Sequence, residues 1–260
     1  MFFEKKGIYY EIYGEGKPLI LLNGIMMSTL SWTSHIKVLS KYFKIIVYDM
    51  RDQGRSKKLE EGYDISIHVE DLHNFIIHLG LEKVNILGLS YGGQVAELFA
   101  IKYQKMIDKL ILSNTTSKVD NYLYAIGEAW KIAAKTYDGE IFFDLALPFI
   151  YSKTFYNEKL EWLMNRRKLF KDILTKEWFD SFIRLSSSNT TFDVSNEIEK
   201  INIPTLLIAA EEDILTPVED MAYINSKIKT SNLVVIKNSG HAAFLEKIDL
   251  YCNLIKGFLL

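Results

Sequence analysis

Cysteine is nearly missing from this chain: Cys252 is the only one among 260 residues. No intrachain disulfide can form, and no CxxC or mixed Cys/His spacing is available to hold a metal. Cys252 reads as a small core residue near the C-terminal helix, and such usage fits a reducing compartment. An excess of one charge is missing too. The chain has 31 lysines and arginines against 33 aspartates and glutamates, a formal net charge of −2. That balance lacks the basic stripe or high pI of a nucleic-acid binder. No stretch approaches the ~18 uninterrupted apolar residues of a membrane span. The start, Met1-Phe2-Phe3-Glu4-Lys5-Lys6, has neither the apolar region nor the cleavage site of a secretory signal. The expectation is a cytoplasmic protein with no nucleic-acid and no membrane partner. Phosphate-cradling patterns are absent as well: no G-x-x-x-x-G-K-[ST] and no G-x-G-x-x-G follows a strand.

What is present is a large apolar fraction, 48%, enough for a substantial core at this length. Short apolar runs recur. Gly7 to Tyr13 reads as a strand, followed by a turn at Glu15-Gly16-Lys17-Pro18. Buried strands are predicted at Leu19–Leu22, Lys44–Tyr48, Val84–Leu87, Leu110–Leu112, Thr205–Ala209 and Leu233–Ile236. Between them, Ser31–Tyr42, Ile65–Leu79 and Gln94–Tyr103 carry helical spacing, with Gly80 as a cap for the second. A last helix is expected from about Ala243 to Phe258. Apolar strands alternating with helices predict an α/β fold: a mostly parallel, twisted sheet flanked by helices. Ligands of such sheets bind beyond the carboxyl ends of the strands.

Residues 116–200 break the alternation. They lack buried-strand runs and are rich in aromatics, with helical spacing near Trp130, Phe143, Trp162 and Phe179. We read them as about four helices forming a lid inserted in a core made of residues 1–115 and 201–260. Most of the aromatics are expected to pack lid against core, and the others to line a substrate cavity.

Gly88-Leu89-Ser90-Tyr91-Gly92 matches G-x-S-x-G between a buried run and a helix. A serine on so sharp a turn is strained, and the residues two before and two after it must be small. The turn lifts the hydroxyl off the sheet and sets the Tyr91 N–H at a helix N-terminus, where negative charge is favoured. A serine hydroxyl needs an adjacent base. His241, in Asn238-Ser239-Gly240-His241 after the last apolar run, is the best placed. His35, His68, His73 and His78 all fall within helical patterns. The base needs an acid to fix its tautomer. Asp213 follows the Leu206–Ala210 run, with Glu212 as the runner-up, and Pro217 starts the next helix. A lone elbow serving only packing, a loop histidine and a solvated carboxylate are the plain alternatives.

The chain order Ser, Asp, His is that of α/β-hydrolases, and the sequence resembles that superfamily nearly end to end. It is most similar to lidded single-domain members: esterases, enol-lactonases, carbon–carbon bond hydrolases and haloperoxidase-like enzymes. Leu21-Leu22-Asn23-Gly24 resembles the family's strand then His-Gly, with Asn23 in place of the commoner histidine. Asp49-Met50-Arg51-Asp52-Gln53-Gly54-Arg55-Ser56 resembles D-x-R-G-x-G-x-S, with Asp52 where glycine is usual, which suggests a locally different turn. Arg51, Asp52 and Arg55 read as a segment braced by ion pairs rather than a substrate clamp.

The resemblance implies an oxyanion hole made by the backbone N–H groups of Ile25 and Tyr91. Asn23, Gly24 and Met26 are candidate substrate-binding residues beside it. It implies no metal and no organic cofactor. The expected function is a serine hydrolase that cleaves a carboxylic ester through an acyl-enzyme. Ser90 stands where dehalogenases and epoxide hydrolases of this fold carry aspartate, which argues against those chemistries. Arg166-Arg167-Lys168 with Lys171 forms a basic cluster that suggests docking of an acyl carrier protein, so a carrier-protein ester or thioester hydrolase is the rival enzyme reading. A non-catalytic small-molecule receptor on the same fold is the rival of another class.

Overall fold

A computed structural model describes the whole chain, Met1 to Leu260. Eight strands form one sheet: β1 Phe2–Phe3, β2 Ile8–Tyr13, β3 Pro18–Leu22, β4 Lys44–Tyr48, β5 Val84–Leu89, β6 Ile107–Ser113, β7 Thr205–Ala210 and β8 Ser231–Ile236. Their order across the sheet is β1-β2-β4-β3-β5-β6-β7-β8. The pairs β1–β2 and β2–β4 are antiparallel and every later pair is parallel. The predicted strands all form, β6 being four residues longer than the run Leu110–Leu112. The two-residue β1 at the edge is additional, too short to leave a periodic signal.

The alternation of side chains along each strand sorts the core. Leu19, Leu21, Ile45, Val47, Leu87 and Leu89 enter one apolar layer. Ile20, Leu22, Ile46, Tyr48 and Ile86 enter the other. Both faces are thus buried, which is why these strands read as unbroken apolar runs. The first layer is covered by α1 Thr33–Leu39 and α11 Ile248–Leu259. The second is covered by α2 Ser66–His78, α3 Tyr91–Tyr103 and α9 Val218–Lys227. Gly80, at φ +66, ends α2: its N–H donates to Ile77 O and that of Leu81 to Ile76 O. This left-handed cap is the one predicted from the sequence.

Between β6 and β7 lie five helices: α4 Asn121–Ala134, α5 Gly139–Ala146, α6 Lys153–Glu158, α7 Leu160–Ile173 and α8 Lys176–Ser188. Four have side-chain caps, from Asp120, Asp138, Ser152 and Thr175. Their aromatic residues continue the first apolar layer. Phe142 meets Trp178, Phe179 and Phe182 edge-on at centroid distances of 5.0–5.7 Å. The last helix is broken where a single one is predicted. Lys247 leaves helical geometry (φ −133°, ψ 50°) and separates α10 Ala243–Glu246 from α11. The break frees the Glu246 carboxylate to accept from Ser152 N (2.9 Å) and Ser152 Oγ (2.6 Å). No helix is long and apolar enough to cross a membrane.

Candidate active site

Ser90 sits between β5 and α3 with φ 55° and ψ −118°, outside the regions an L-residue prefers. Such a backbone persists only where its surroundings over-determine it. Here the Ser90 N–H donates to Ser113 O (2.9 Å), and Ser90 O accepts from Gly93 N (2.7 Å) and Thr115 Oγ1 (2.9 Å). The two glycines of the turn have separate neighbours. A Cβ on Gly88 would lie 2.5 Å from Gly92 O, as crowding within the turn requires. A Cβ on Gly92 would instead meet Leu22 O at 2.6 Å and Asn23 O at 2.7 Å. The second glycine therefore lets helix α3 close against the end of β3, where the Asn23–Met27 loop begins.

His241 lies in the loop after β8, and its Nε2 is 2.8 Å from Ser90 Oγ. Its Nδ1 is 2.8 Å from Asp213 Oδ2. Asp213 follows β7, and its side chain is fully shielded from solvent. Burial pushes the Asp213 carboxyl up. The charge of His241 and hydrogen bonds from His241, Asn114 and Thr216 outweigh burial and hold it below its ordinary value. Leu215 N (2.9 Å) and Thr216 N (3.1 Å) donate to Oδ1, and Asn114 Nδ2 (2.9 Å) and Thr216 Oγ1 (2.9 Å) donate to Oδ2. A carboxylate so satisfied stays ionised and aims one oxygen at the imidazole. Glu212, the runner-up, turns the other way and accepts from Thr154 Oγ1 at 2.8 Å.

Gly24, Ile25, Met26 and Met27 form a turn closed by Met27 N donating to Gly24 O at 3.1 Å. Ile25 is its second residue, so that bond leaves the Ile25 N–H unused. Tyr91 opens α3, where a helical N–H has no acceptor within the helix. A Cβ on Gly24 would lie 3.6 Å from Ser90 Cβ, which puts this loop directly against the elbow. Gly24, Ile25, Met26 and Tyr91 all line the cavity above Ser90.

Asn23 does not. Its side chain is wholly buried and turned away from the cavity. Nδ2 donates to Tyr48 O and to Gln53 Oε1 (both 3.1 Å), and Oδ1 accepts from Trp32 Nε1 at 2.8 Å. The expectation that Asn23 contacts substrate is corrected on this ground: both polar atoms of its side chain are already used within the protein. Gln53 completes the brace, with Nε2 donating to Gly24 O at 2.9 Å. Trp32, Gln53 and Asn114 carry no motif of their own in the sequence. Only the position of Gln53 in the charged turn and of Asn114 after β6 hints at them.

Asp52 is a second correction. Its φ of 64° is the left-handed conformation that the usual glycine would take, so the turn is not locally different. What differs is the side chain. Asp52 Oδ1 accepts from Arg184 Nη2 (2.7 Å) and Oδ2 from Arg184 Nε (3.1 Å), tying α8 to the core. Arg51 pairs with Asp71 (2.6 Å) and Arg55 with Glu11 (2.7 Å). The charged segment is a set of braces and lies outside the cavity lining.

The basic cluster of α7 does not hold together as a patch. Arg167 is bidentate to Asp144 (2.7 and 2.8 Å) and also reaches Glu140 at 2.6 Å. Arg166 turns inward and lines the cavity, its guanidinium 5.3 Å from the Trp162 ring centre and 5.6 Å from that of Phe170. Arg167 is neutralised and Arg166, half-buried, lines the cavity, so the two do not present a single paired surface for an acyl carrier protein.

The cavity itself has a volume of about 160 Å³. That is the scale of a space that holds one benzene ring. Ile25, Met26, Leu123, Ile126, Trp130, Leu147, Phe170 and Phe244 give it apolar walls. Ser90 and His241 lie on one side, and residues of α4, α7 and the end of α8 close the other. No group of three or more His, Cys, Asp or Glu is arranged to hold a metal ion.

Residues 17–248 match the sequence profile of the alpha/beta hydrolase fold. The solved structure of an alpha/beta hydrolase enzyme from a Medee basin deep-sea metagenome library is 39% identical. It superposes with a TM-score of 0.94 over 96% of this chain and 93% of that one. The proline iminopeptidase of Saccharolobus solfataricus is 27% identical over 97% of this chain and 88% of its own length. The enol-lactonase of Burkholderia xenovorans, at 22% identity and a TM-score of 0.85 over 97% of this chain and 96% of that one, shares the fold.

Proposed function

This chain belongs to the alpha/beta hydrolase fold family, and from that premise we propose that it is a hydrolase of small carboxylic esters with Ser90 as its nucleophile. The observation that carries the reading is one unbroken chain of hydrogen bonds. It runs from Ser90 Oγ through His241 to Asp213 in two steps of 2.8 Å, beneath a small apolar cavity.

Ser90 Oγ attacks the ester carbonyl carbon, and its proton passes to His241 Nε2. Asp213, held ionised by its donors, stabilises the imidazolium and keeps Nδ1 as the N–H end. The carbonyl oxygen gains the negative charge and is met by the N–H groups of Ile25 and Tyr91, both fixed before reaction. Collapse breaks the carbon–oxygen bond to the alcohol, which leaves with the proton from His241. Water then adds to the acyl-serine, giving its proton to His241. The acid departs as Ser90 Oγ recovers that proton. We read α4–α8 as the lid that encloses the acyl or alcohol group.

The direct test is labelling with a fluorophosphonate, followed by a chain-length panel of p-nitrophenyl esters. An adduct on the folded protein that is lost in Ser90→Ala, with turnover greatest for short chains, is expected. No adduct and no turnover would leave the receptor reading standing instead. Including a γ-lactone and a proline anilide in the panel separates ester cleavage from lactone opening and from the peptidase activity named for the Saccharolobus relative.

A further inference from the structure

A guanidinium beside apolar walls gains from pairing with an anion, and Arg166, half-buried and lining the cavity, has none in the protein. It lines the cavity that contains Ser90, yet no carboxylate lies within 4.0 Å of it and it makes no hydrogen bond in the protein. Its Nε is buried without a partner, as is the indole Nε1 of Trp130, another cavity residue. The one carboxylate of the lining, Glu128, is taken by Lys131 at 2.5 Å. Neighbouring Arg167 shows what the same helix does with a structural arginine: three oxygens of two acids satisfy it. The Trp162 and Phe170 rings both lie within cation–π range of the Arg166 guanidinium, their centres 5.3 and 5.6 Å away.

We propose that Arg166 is the receptor for an anionic group on the substrate, so that the ester cleaved at Ser90 carries a carboxylate at its far end. A planar carboxylate matches the fork of a guanidinium and gives it the acceptors it lacks. The apolar walls between Arg166 and Ser90 fit the carbon chain that joins the two functions. The Trp130 indole, also without an acceptor, sits among those walls as a second donor for the same group. This inference rests on the ester-hydrolase reading above.

The test uses matched pairs of esters followed in a pH-stat. Monomethyl glutarate, adipate and suberate against methyl pentanoate, hexanoate and octanoate place the anion on the acyl side. Butyryl glycolate against ethyl butyrate places it on the alcohol side. The quantity read is the ratio of kcat/KM, anionic over neutral. In one of the two arms the wild type is expected to give a ratio above one. Arg166→Gln is expected to lower that ratio about ten- to hundredfold, as loss of a charge-assisted pair does, and Arg166→Lys to keep part of it. A wild-type ratio at or below one in both arms, or one that Arg166→Gln leaves unmoved, overturns the inference while neutral turnover still supports the esterase reading. If no ester is turned over, the esterase reading fails, and binding decides the subsite separately. Ser90→Ala titrated with adipate and followed by tryptophan fluorescence should saturate, and Arg166→Gln in that background should weaken binding by the same factor. No saturable change there refutes the subsite.

Discussion

Removing Arg184 should damage this protein more than removing its partner, although the two form one ion pair. Arg184→Met strands the Asp52 carboxylate, whose side chain is fully shielded from solvent, with only Leu59 N (3.0 Å) as a donor. A buried charge left alone in this way costs about 3–5 kcal/mol. Asp52→Gly strands Arg184 instead, but that side chain is 18% exposed and can turn toward water. The lost charge-assisted bonds then cost about 2 kcal/mol. Relief of the left-handed backbone at φ 64° returns about 1 kcal/mol, for a net loss near ~1 kcal/mol. For a chain of 260 residues, each kcal/mol moves the unfolding midpoint by about 2 °C. The expected falls are therefore about 6–10 °C for Arg184→Met and about 2 °C for Asp52→Gly. The double variant should resemble Asp52→Gly alone, since Arg184 has nothing left to neutralise. Urea unfolding of the four proteins closes the cycle. If Arg184→Met proved the milder change, or if the two effects added to within about 0.5 kcal/mol, the pair would not be the buried tie between α8 and the core that its geometry indicates.

Ser90→Ala and His241→Ala should each lower kcat by about three to six orders of magnitude, with the unfolding midpoint little changed; steady-state kinetics beside a melting curve checks both halves. Gln53→Leu leaves Gly24 O and Asn23 Nδ2 each short of a partner. It should reduce kcat more than it alters KM, and equal loss in both would dissociate Gln53 from the oxyanion loop. Glu97 is wholly buried without a hydrogen bond, and burial together with Asp220 raises its carboxyl well above the ordinary value. It is protonated in the fold and ionised when unfolded, so the stability it contributes is lost as pH rises above the ordinary carboxylate range. In urea titrations, Glu97→Gln should gain on the wild type as pH increases from 5 to 8; a flat difference would contradict this. Burial lowers His35 and His68 to about 4. Both are neutral in the fold, so stability should fall as pH drops from about 6.5 toward 4, with His68→Phe flattening that slope.

How much of this was legible beforehand differs from residue to residue. Ser90 and Asp213 follow buried strands. His241 follows β8, which is an edge strand buried only at Ile236 rather than the buried strand expected. A parallel sheet brings such points to one edge whatever their distance along the chain. Asn23 and Asp52 show the limit. At both positions the resemblance supplied a location, but which way the side chain faces depends on partners 9 to 132 positions away. The basic cluster is divided for a simpler reason. Successive residues on a helix point about 100° apart, so Arg166 and Arg167 adjoin in sequence and face different surroundings. Asn114 carried no motif at all; its role exists only because β6 and β7 are neighbours.

One rigid peptide plane joins Gly24 to Ile25. Its carbonyl accepts two hydrogen bonds, from Gln53 Nε2 at 2.9 Å and Met27 N at 3.1 Å. Carbonyl and N–H belong to one rigid amide, so fixing the first fixes the direction of the second. Drawing electron density toward the oxygen also leaves the nitrogen's proton more positive. In the proposed mechanism the Ile25 donor is thereby strengthened from behind, by side chains outside the cavity lining. A change at Gln53, Asn23 or Trp32 would be felt at the scissile bond as a weaker dipole rather than as a missing contact.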